Sequence, residues 1–457
     1  MENKNSNKLM LLLFVGVLMG ALDISIVGPA IPSIEKALQI ENLYVGWIFS
    51  IYILLNLMGI SLFARLSDIF GRRNIYIIAL LIFAIGSLVV SFSHSFSILL
   101  AGRAIQGFGA SGIFPVATAI VGDLYPPDKR GKMLGIIGAV FGLAFMIGPF
   151  VAGVMLRYYS WNSLFIINVP IAALLIYFSY KILPAKTTKV TTTIDWSGII
   201  LLGAGLAAFT FGVNNIEVSN LKSLVSTKVL LPLFIAIISL TALLFSEKKA
   251  TSPILKFSFF RNNQIVFAGI LAIVAGLVQS VFVFIPKFVV ENFQVSPSTA
   301  SFMLTPFVLA TAIGSPVFGR MIDKYGVKPI IISGLSFLFI GFLLLFTTAN
   351  NLILYYSSGV AIGLGLSVLS GSSLRYIMLN NTGVDDRAIS QGMITIFTSV
   401  GQLSGAAIVG IVLAMKSNSY NTLFLGLSIL LVLIILSFVF KFRNEKIEPI
   451  KSKKSTK

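Results

Sequence analysis

Apolar residues run along this chain in fourteen blocks of about twenty, set apart by short polar stretches. The blocks lie at roughly 9–31, 45–64, 74–92, 96–121, 133–155, 163–183, 196–214, 228–246, 264–286, 298–318, 329–347, 353–378, 392–415 and 421–440. A helix of about twenty residues spans the hydrocarbon of a bilayer, whereas a barrel strand needs only about ten. A helix also satisfies its own backbone polar groups where no water is present. The pattern therefore predicts an all-α polytopic membrane protein with fourteen transmembrane helices. The polar start MENKNSNK leads into a block longer than a signal-peptide core, with no small-residue cleavage site, so this block reads as a retained first span.

Composition sharpens the class. Of the 457 residues, 56% are apolar and 11% charged, against about 25% charged in a typical soluble domain. That excludes a soluble enzyme, a secreted disulfide scaffold, a disordered chain and a free nucleic-acid binder. The net charge of +18 is explained by loops rather than by nucleic acid, because lysine and arginine mark the cytoplasmic side of membrane proteins. With the N-terminus inside, 26 basic residues fall on inner segments and 6 on outer ones, which places both termini in the cytoplasm. There is no cysteine, and His94 is the only histidine, so neither a disulfide framework nor a Cys/His metal site is expected.

The chain repeats itself. ARLSDIFGRR (64–73) matches GRMIDKYGVK (319–328), pairing Arg65 with Arg320, Asp68 with Asp323 and Gly71 with Gly326 at an offset of 255. Gly107 and Gly109 match Gly363 and Gly365 at 256, and Arg130 and Gly135 match Arg387 and Gly392 at 257. The expected organisation is an N-terminal six-helix bundle in 1–183, two additional helices with linkers in 184–263, a C-terminal six-helix bundle in 264–441, and a basic cytoplasmic tail in 442–457. Two repeated halves with a midplane site are the plan of alternating-access carriers.

Three motifs carry chemistry. In SDIFGRR, Gly71 suits a tight turn with positive φ, and Asp68, Arg72 and Arg73 can form charge-assisted bonds at the membrane face; the alternative is ordinary positive-inside anchoring. In GRAIQGFGASG (102–112), Arg103 lies about nine residues into the span, or about 13 Å. An arginine there is a functional hypothesis by default, unless it snorkels outward. In GAVFGLAFMIGPFVAG (138–153), Pro149 bends the helix, and Gly138, Gly142, Gly148 and Gly153 leave a groove for a neighbour; generic glycine packing is the alternative.

These residues together resemble the major facilitator superfamily, and more closely its fourteen-span drug:proton antiporter branch of bacterial multidrug and tetracycline exporters. The loop after span 2 is similar to the signature G-x-x-x-D-x-x-G-R-[KR], with Ala64 at the opening glycine. Residues 102–112 are similar to R-x-x-Q-G-x-G, and 138–153 to the antiporter motif, with Ala152 at the penultimate glycine. LDISIVGPAIP (22–32) and WNSLFIINVP (161–170) resemble the branch's patterns at spans 1 and 6. The resemblance implies a major facilitator fold and a cytoplasmic latch built from Asp68, Gly71, Arg72 and Arg73, with Asp123 as acidic partner and Asp323 as the repeat of Asp68. It also implies proton coupling through Arg103, and residence in the bacterial cytoplasmic membrane as a monomer.

A proton antiporter needs an ionisable group within the bilayer. Of the 16 acidic residues, Asp23 alone lies deep inside a span, about 18 Å from the outer boundary. Asp23 is the expected proton carrier and Arg103 its modulator; a static buried pair is the alternative. Candidates for the substrate cavity are Tyr52 and Asn56 on span 2, Gln106 on span 4, Phe141 and Phe145 on span 5, Gln279 on span 9 and Gln402 on span 13. The expected activity is proton-driven export of amphipathic drugs, with small amphipathic substrates, protons and lipid as the partners and no cofactor. An exporter of a single endogenous lipid, fatty acid or metabolite is the alternative carrier, and a non-transporting sensor the alternative class. No P-loop, selectivity filter or catalytic constellation is found.

Overall fold

In the computed structural model, the described residues are 3–125, 127–184, 195–216, 221–248, 255–348, 351–370, 372–382, 387–415 and 419–441. The helices are α1 (Asn3–Leu38), α2 (Trp47–Phe70), α3 (Arg72–Ser91), α4 (Phe96–Leu124), α5 (Pro127–Tyr158), α6 (Ser163–Ile166), α7 (Asn168–Ile182), α8 (Trp196–Asn214) and α9 (Thr227–Glu247). They continue as α10 (Asn263–Phe293), α11 (Pro297–Met303), α12 (Thr305–Tyr325), α13 (Val327–Thr347), α14 (Leu352–Leu369), α15 (Ser372–Asn380), α16 (Arg387–Leu413) and α17 (Ser419–Lys441). Among the described residues there is no strand, and fourteen helical stretches are long and apolar enough to cross a membrane. This is the expected count.

The helices depart from the apolar blocks where local chemistry intervenes. α1 outruns its block and keeps Pro29 and Pro32 inside it, ending after Glu35 and Lys36. Three blocks are interrupted. The sixth breaks at Ile167, before Pro170; the tenth breaks at Leu304, where Pro306 enters the first turn of α12 and has no N–H to extend the preceding helix; the twelfth breaks beyond Leu369.

The chain forms two compact units. One comprises Met1–Ile254, Ser280–Phe302 and Gln402–Ala414; the other comprises Leu255–Gln279, Met303–Gly401 and Met415–Lys457. This partition by packing cuts α10 and α16, whereas the partition by sequence repeat leaves them whole.

The repeat is visible inside each unit as the same helix contacts. In the first, a methyl group on Gly107 would strike the carbonyl of Tyr52, one on Gly109 would lie 2.9 Å from the carbonyl oxygen of Ala79, and one on Gly86 would strike the backbone of Gln106. In the second, Gly363 stands on the carbonyl of Phe307, Gly365 at 2.7 Å from that of Gly334, and Gly341 on Ile362. Every one of these pairs is related by 255 or 256 positions. Helices at these crossings meet backbone to backbone, which small residues permit in lipid. The turns agree as well: Gly71 has φ 102° and Gly326 has φ 81°, a region that side chains with a Cβ avoid.

Candidate functional site: a buried carboxylate–guanidinium network

Asp23 on α1 and Arg103 on α4 meet inside the first unit, Oδ2 to Nη1 at 2.7 Å, and neither side chain has any exposed surface. The close α3–α4 and α2–α4 crossings at Gly86 and Gly107 draw the helices in around the pair. Gln106 is one turn beyond Arg103; its Oε1 accepts from Arg103 Nη1 at 2.8 Å. Its Nε2 donates to Asp23 Oδ1 at 3.1 Å and to Ser87 Oγ on α3 at 2.8 Å. Asn168, the first residue of α7, donates Nδ2 to the same Asp23 Oδ1 at 3.0 Å. The carboxylate therefore accepts three hydrogen bonds from two helices besides its own, one of them charge-assisted.

Arg103 is held equally closely. Nε donates to the carbonyl of Ile48 at 3.3 Å, and the guanidinium lies 4.3 Å from the ring centre of Tyr52 and 5.7 Å from that of Phe165. Arg103 Nη2 and the Tyr52 hydroxyl are buried without a hydrogen-bond partner in the structure. The aromatic faces take the place of a partner for the guanidinium plane. The other polar groups of the pair are matched by Gln106, Asn168 and the Ile48 carbonyl, which offsets part of the cost of burying two charges; removing one member of such a pair typically costs about 3–5 kcal/mol.

The second repeat carries none of this. By the same offsets, Tyr52 corresponds to Phe307, Ser87 to Phe342, Arg103 to Gly359 and Gln106 to Ile362. Where Arg103 covers the Tyr52 ring, a methyl group on Gly359 would run into the ring of Phe307.

The loop between α2 and α3 brings its charges together. Arg72 binds Asp68 (2.5 Å), Asp123 at the end of α4 (2.9 Å) and the Ser67 hydroxyl (2.6 Å). Asp123 is half-exposed, so each of these surface pairs stabilises by at most about 1 kcal/mol. Arg73, expected in the same cluster, instead stacks over Tyr180 of α7 at 5.1 Å. Gly71 supplies the positive-φ turn that lets Arg72 start α3 directly beneath α2. The side chain of Asp323 lies outside the described residues.

On α5 the glycine motif divides. A methyl on Gly148 would run into Ser25 of α1, whose hydroxyl donates to the carbonyl of Ala144 at 3.1 Å, and one on Gly153 would lie 2.9 Å from the ring of Phe302. Gly138 and Gly142 have nothing within reach of a methyl group, so the groove occupies only the half of the motif that includes Pro149.

Of the residues expected to line a cavity, Gln106 instead belongs to the Asp23 network and Tyr52 floors Arg103. Asn56 donates to the carbonyl of Gly107 at 3.3 Å, a helix-to-helix bond. Phe141 stacks edge-on with Phe114 of α4 at 5.1 Å, while Phe145 is partly exposed on the same helix. In the second unit Gln279 donates to Ser370 Oγ at 2.8 Å, at the break between α14 and α15. Gln402, on the first-unit part of α16, is half-buried. Sequence reasoning missed Asn168 and Ser87. Asn168 was legible as a polar residue in an apolar span; a serine such as Ser87 gives no signal, because it can satisfy itself on its own helix.

Comparison with known proteins agrees with this architecture. The family model described as Major Facilitator Superfamily matches residues 13–278 and 267–457. The chain is 31% identical over 424 residues to Multidrug resistance protein 3 of Bacillus subtilis (strain 168), covering 91% of this chain and 81% of the relative. It is 29% identical over 365 residues to the riboflavin transporter RibZ of Clostridioides difficile (strain 630), covering 79% of this chain and 78% of the relative. Among solved structures, the nucleoside transporter NupG (D323A mutant) superposes with a TM-score of 0.70 at 15% identity, covering 95% of this chain and all of that one, which speaks for the fold. The fourteen membrane helices, the repeated loop and turn, and the family match over nearly the whole chain make this protein a transporter, not an enzyme, and a member of the Major Facilitator Superfamily.

Proposed function

We propose that this protein is a proton-coupled antiporter that exports small amphipathic molecules from a bacterial cytoplasm by alternating access. The observation that carries the reading is the buried Asp23: a carboxylate with no exposed surface, held by Arg103, Gln106 and Asn168 in the first unit of a transporter. Such a group in a span is a proton-relay candidate by default. Taking up a proton neutralises it, weakens its bond to Arg103 and frees the helices that the pair ties together. Losing the proton restores the tie. α1, α4 and α7 would thus feel the protonation state directly, and no cofactor enters the cycle. Kinship with multidrug resistance proteins supports drug-like substrates. The excess of basic residues on one set of loops supports cytoplasmic termini. We take the working unit to be the monomer.

A second reading, export of a single metabolite, is favoured by the likeness to a riboflavin transporter. Inverted vesicles energised by a pH gradient test both. Efflux of several unrelated cationic dyes by the wild type, lost in Asp23→Asn, is the expected result. Gradient-driven movement of one metabolite alone selects the second reading, and full proton-driven efflux by Asp23→Asn overturns the role of Asp23.

A further inference from the structure

A second charge cluster, built on a buried lysine, lies well away from Asp23, and the coupling network does not use it. Lys287 on α10 is among the largest fully buried side chains of the protein. Its ammonium donates to the Glu35 carboxylate near the end of α1 and to Asn42 Oδ1 at 2.7 Å, and Glu291 lies 3.3 Å away. Asn42 in turn donates to the carbonyl of Leu413, at the end of α16, at 3.3 Å. Lys287 thus ties α10 to α1 and to the turn after it, and Asn42 carries the tie on to α16; Glu35, Asn42, Lys287 and Leu413 all lie in the first unit.

Next to the cluster the same helices touch without intervening side chains. A methyl on Gly28 of α1 would lie 2.5 Å from the carbonyl oxygen of Val283 on α10. One on Gly46, just before α2, would lie 2.6 Å from that of Ala406 on α16, and one on Gly410 would lie 2.9 Å from that of Leu43. No molecule passes between helices in such contact. Glu35 stands 12 residues beyond Asp23 on α1, about 18 Å along the helix, towards the end that the positive-inside rule assigns to the outside.

We propose that Lys287, Glu35 and Asn42 form an ionic lock that shuts the outer end of the transport path and must open once in every cycle. This rests on the antiport reading. α1 and α2 come from the first sequence repeat, and α10 and α16 from the second, so rocking of the repeats separates the partners of the lock. Charge suits a reversible seal better than an apolar plug. The desolvation cost of the closed pair offsets much of its attraction, and water rehydrates both ions when it opens, so closed and open states stay near in free energy.

The absence of native cysteine makes a single introduced cysteine a unique probe. Val283→Cys, buried in the seam, is labelled in right-side-out vesicles with a membrane-impermeant maleimide, without substrate or gradient. Lys287→Met should raise its labelling several-fold, and the exchange Glu35→Lys with Lys287→Glu should bring it back towards the starting level. Glu35→Gln, which keeps the shape of the partner, should raise labelling likewise and replaces Lys287→Met if that variant is not recovered folded. Labelling that stays flat in a folded lock variant, or that the exchange does not reverse, overturns the proposal. Failure of the antiport reading is separate: labelling responds to the lock variants while the wild type shows no proton-driven efflux.

Discussion

Asn168 reaches across 145 residues of sequence to donate a hydrogen bond to Asp23 Oδ1 at 3.0 Å. It is the sole contribution of α7 to the buried carboxylate among the described residues, and it reaches the oxygen that Arg103 leaves to the amides. Asn168→Leu removes the donor and keeps the volume. The expected loss is about 1–3 kcal/mol of stability, read by thermal unfolding in detergent, with proton-driven efflux reduced more than substrate binding. A variant with unchanged efflux would show that α7 does not serve the carboxylate.

Arg103 is asked to do three things at once: bind Asp23, bind Gln106 and the Ile48 carbonyl, and cover the ring of Tyr52. Lysine can do the first alone, because an ammonium has neither the fork nor the plane. Arg103→Lys should fold and lose most of its gradient-driven efflux. Arg103→Ala strands a buried carboxylate and should cost about 3–5 kcal/mol, seen as a lower melting temperature. Equal stability of the two variants would argue against a buried pair.

Much of this was legible before any coordinates. Fourteen apolar blocks gave the fourteen spans, and Arg103 stood out as an arginine about nine residues inside span 4. Asp23 stood out because lipid tolerates few carboxylates. What stayed hidden depends on neighbours rather than on spacing. The breaks at Ile167 and Leu304 stand beside Pro170 and Pro306 and the one beyond Leu369 has no proline near it, and apolar length reports none of the three. Gln106 was expected at a cavity and serves the carboxylate instead, because sequence cannot tell which of two polar partners an amide will find. Arg72 and Arg73 are adjacent and look alike, yet helical geometry turns one to Asp123 and the other to Tyr180.

The two glycine turns give a test on the backbone alone. Gly71 sits at φ 102°, ψ 136° and Gly326 at φ 81°, ψ 170°, a region essentially reserved for glycine, where a Cβ costs about 1–3 kcal/mol. Gly71→Ala and Gly326→Ala should each lower thermal stability by a similar amount. Gly71→Ala should further weaken transport, since it shifts Arg72 away from Asp68 and Asp123. Unaltered melting of either variant would show that its turn tolerates a side chain.

Gly107 and Gly363 make the same helix contact in the two repeats, one beneath the charged network and one where it has no counterpart. Gly107→Val and Gly363→Val should destabilise comparably, by about 1–3 kcal/mol of overpacking. On the proposed cycle, Gly107→Val should abolish proton coupling as well, because it drives Tyr52 and Arg103 apart. Loss of coupling in both variants, at equal stability, would place the coupling chemistry in both halves.

The census of charges around Asp23 has an electrical consequence. With the carboxylate ionised, it and Arg103 cancel, and Gln106, Asn168 and Ser87 add nothing. On the proposed cycle, the proton-loaded form carries one uncancelled positive charge deep in the hydrocarbon. An inside-negative voltage pulls that form inward by up to about 2.3 kcal/mol per 100 mV, and it leaves the return step untouched only when the substrate carried is neutral. For a neutral substrate, membrane potential and pH gradient therefore act on the same step and each should substitute for the other, whereas exchange of one monovalent cation for one proton is electroneutral and should respond to the pH gradient alone.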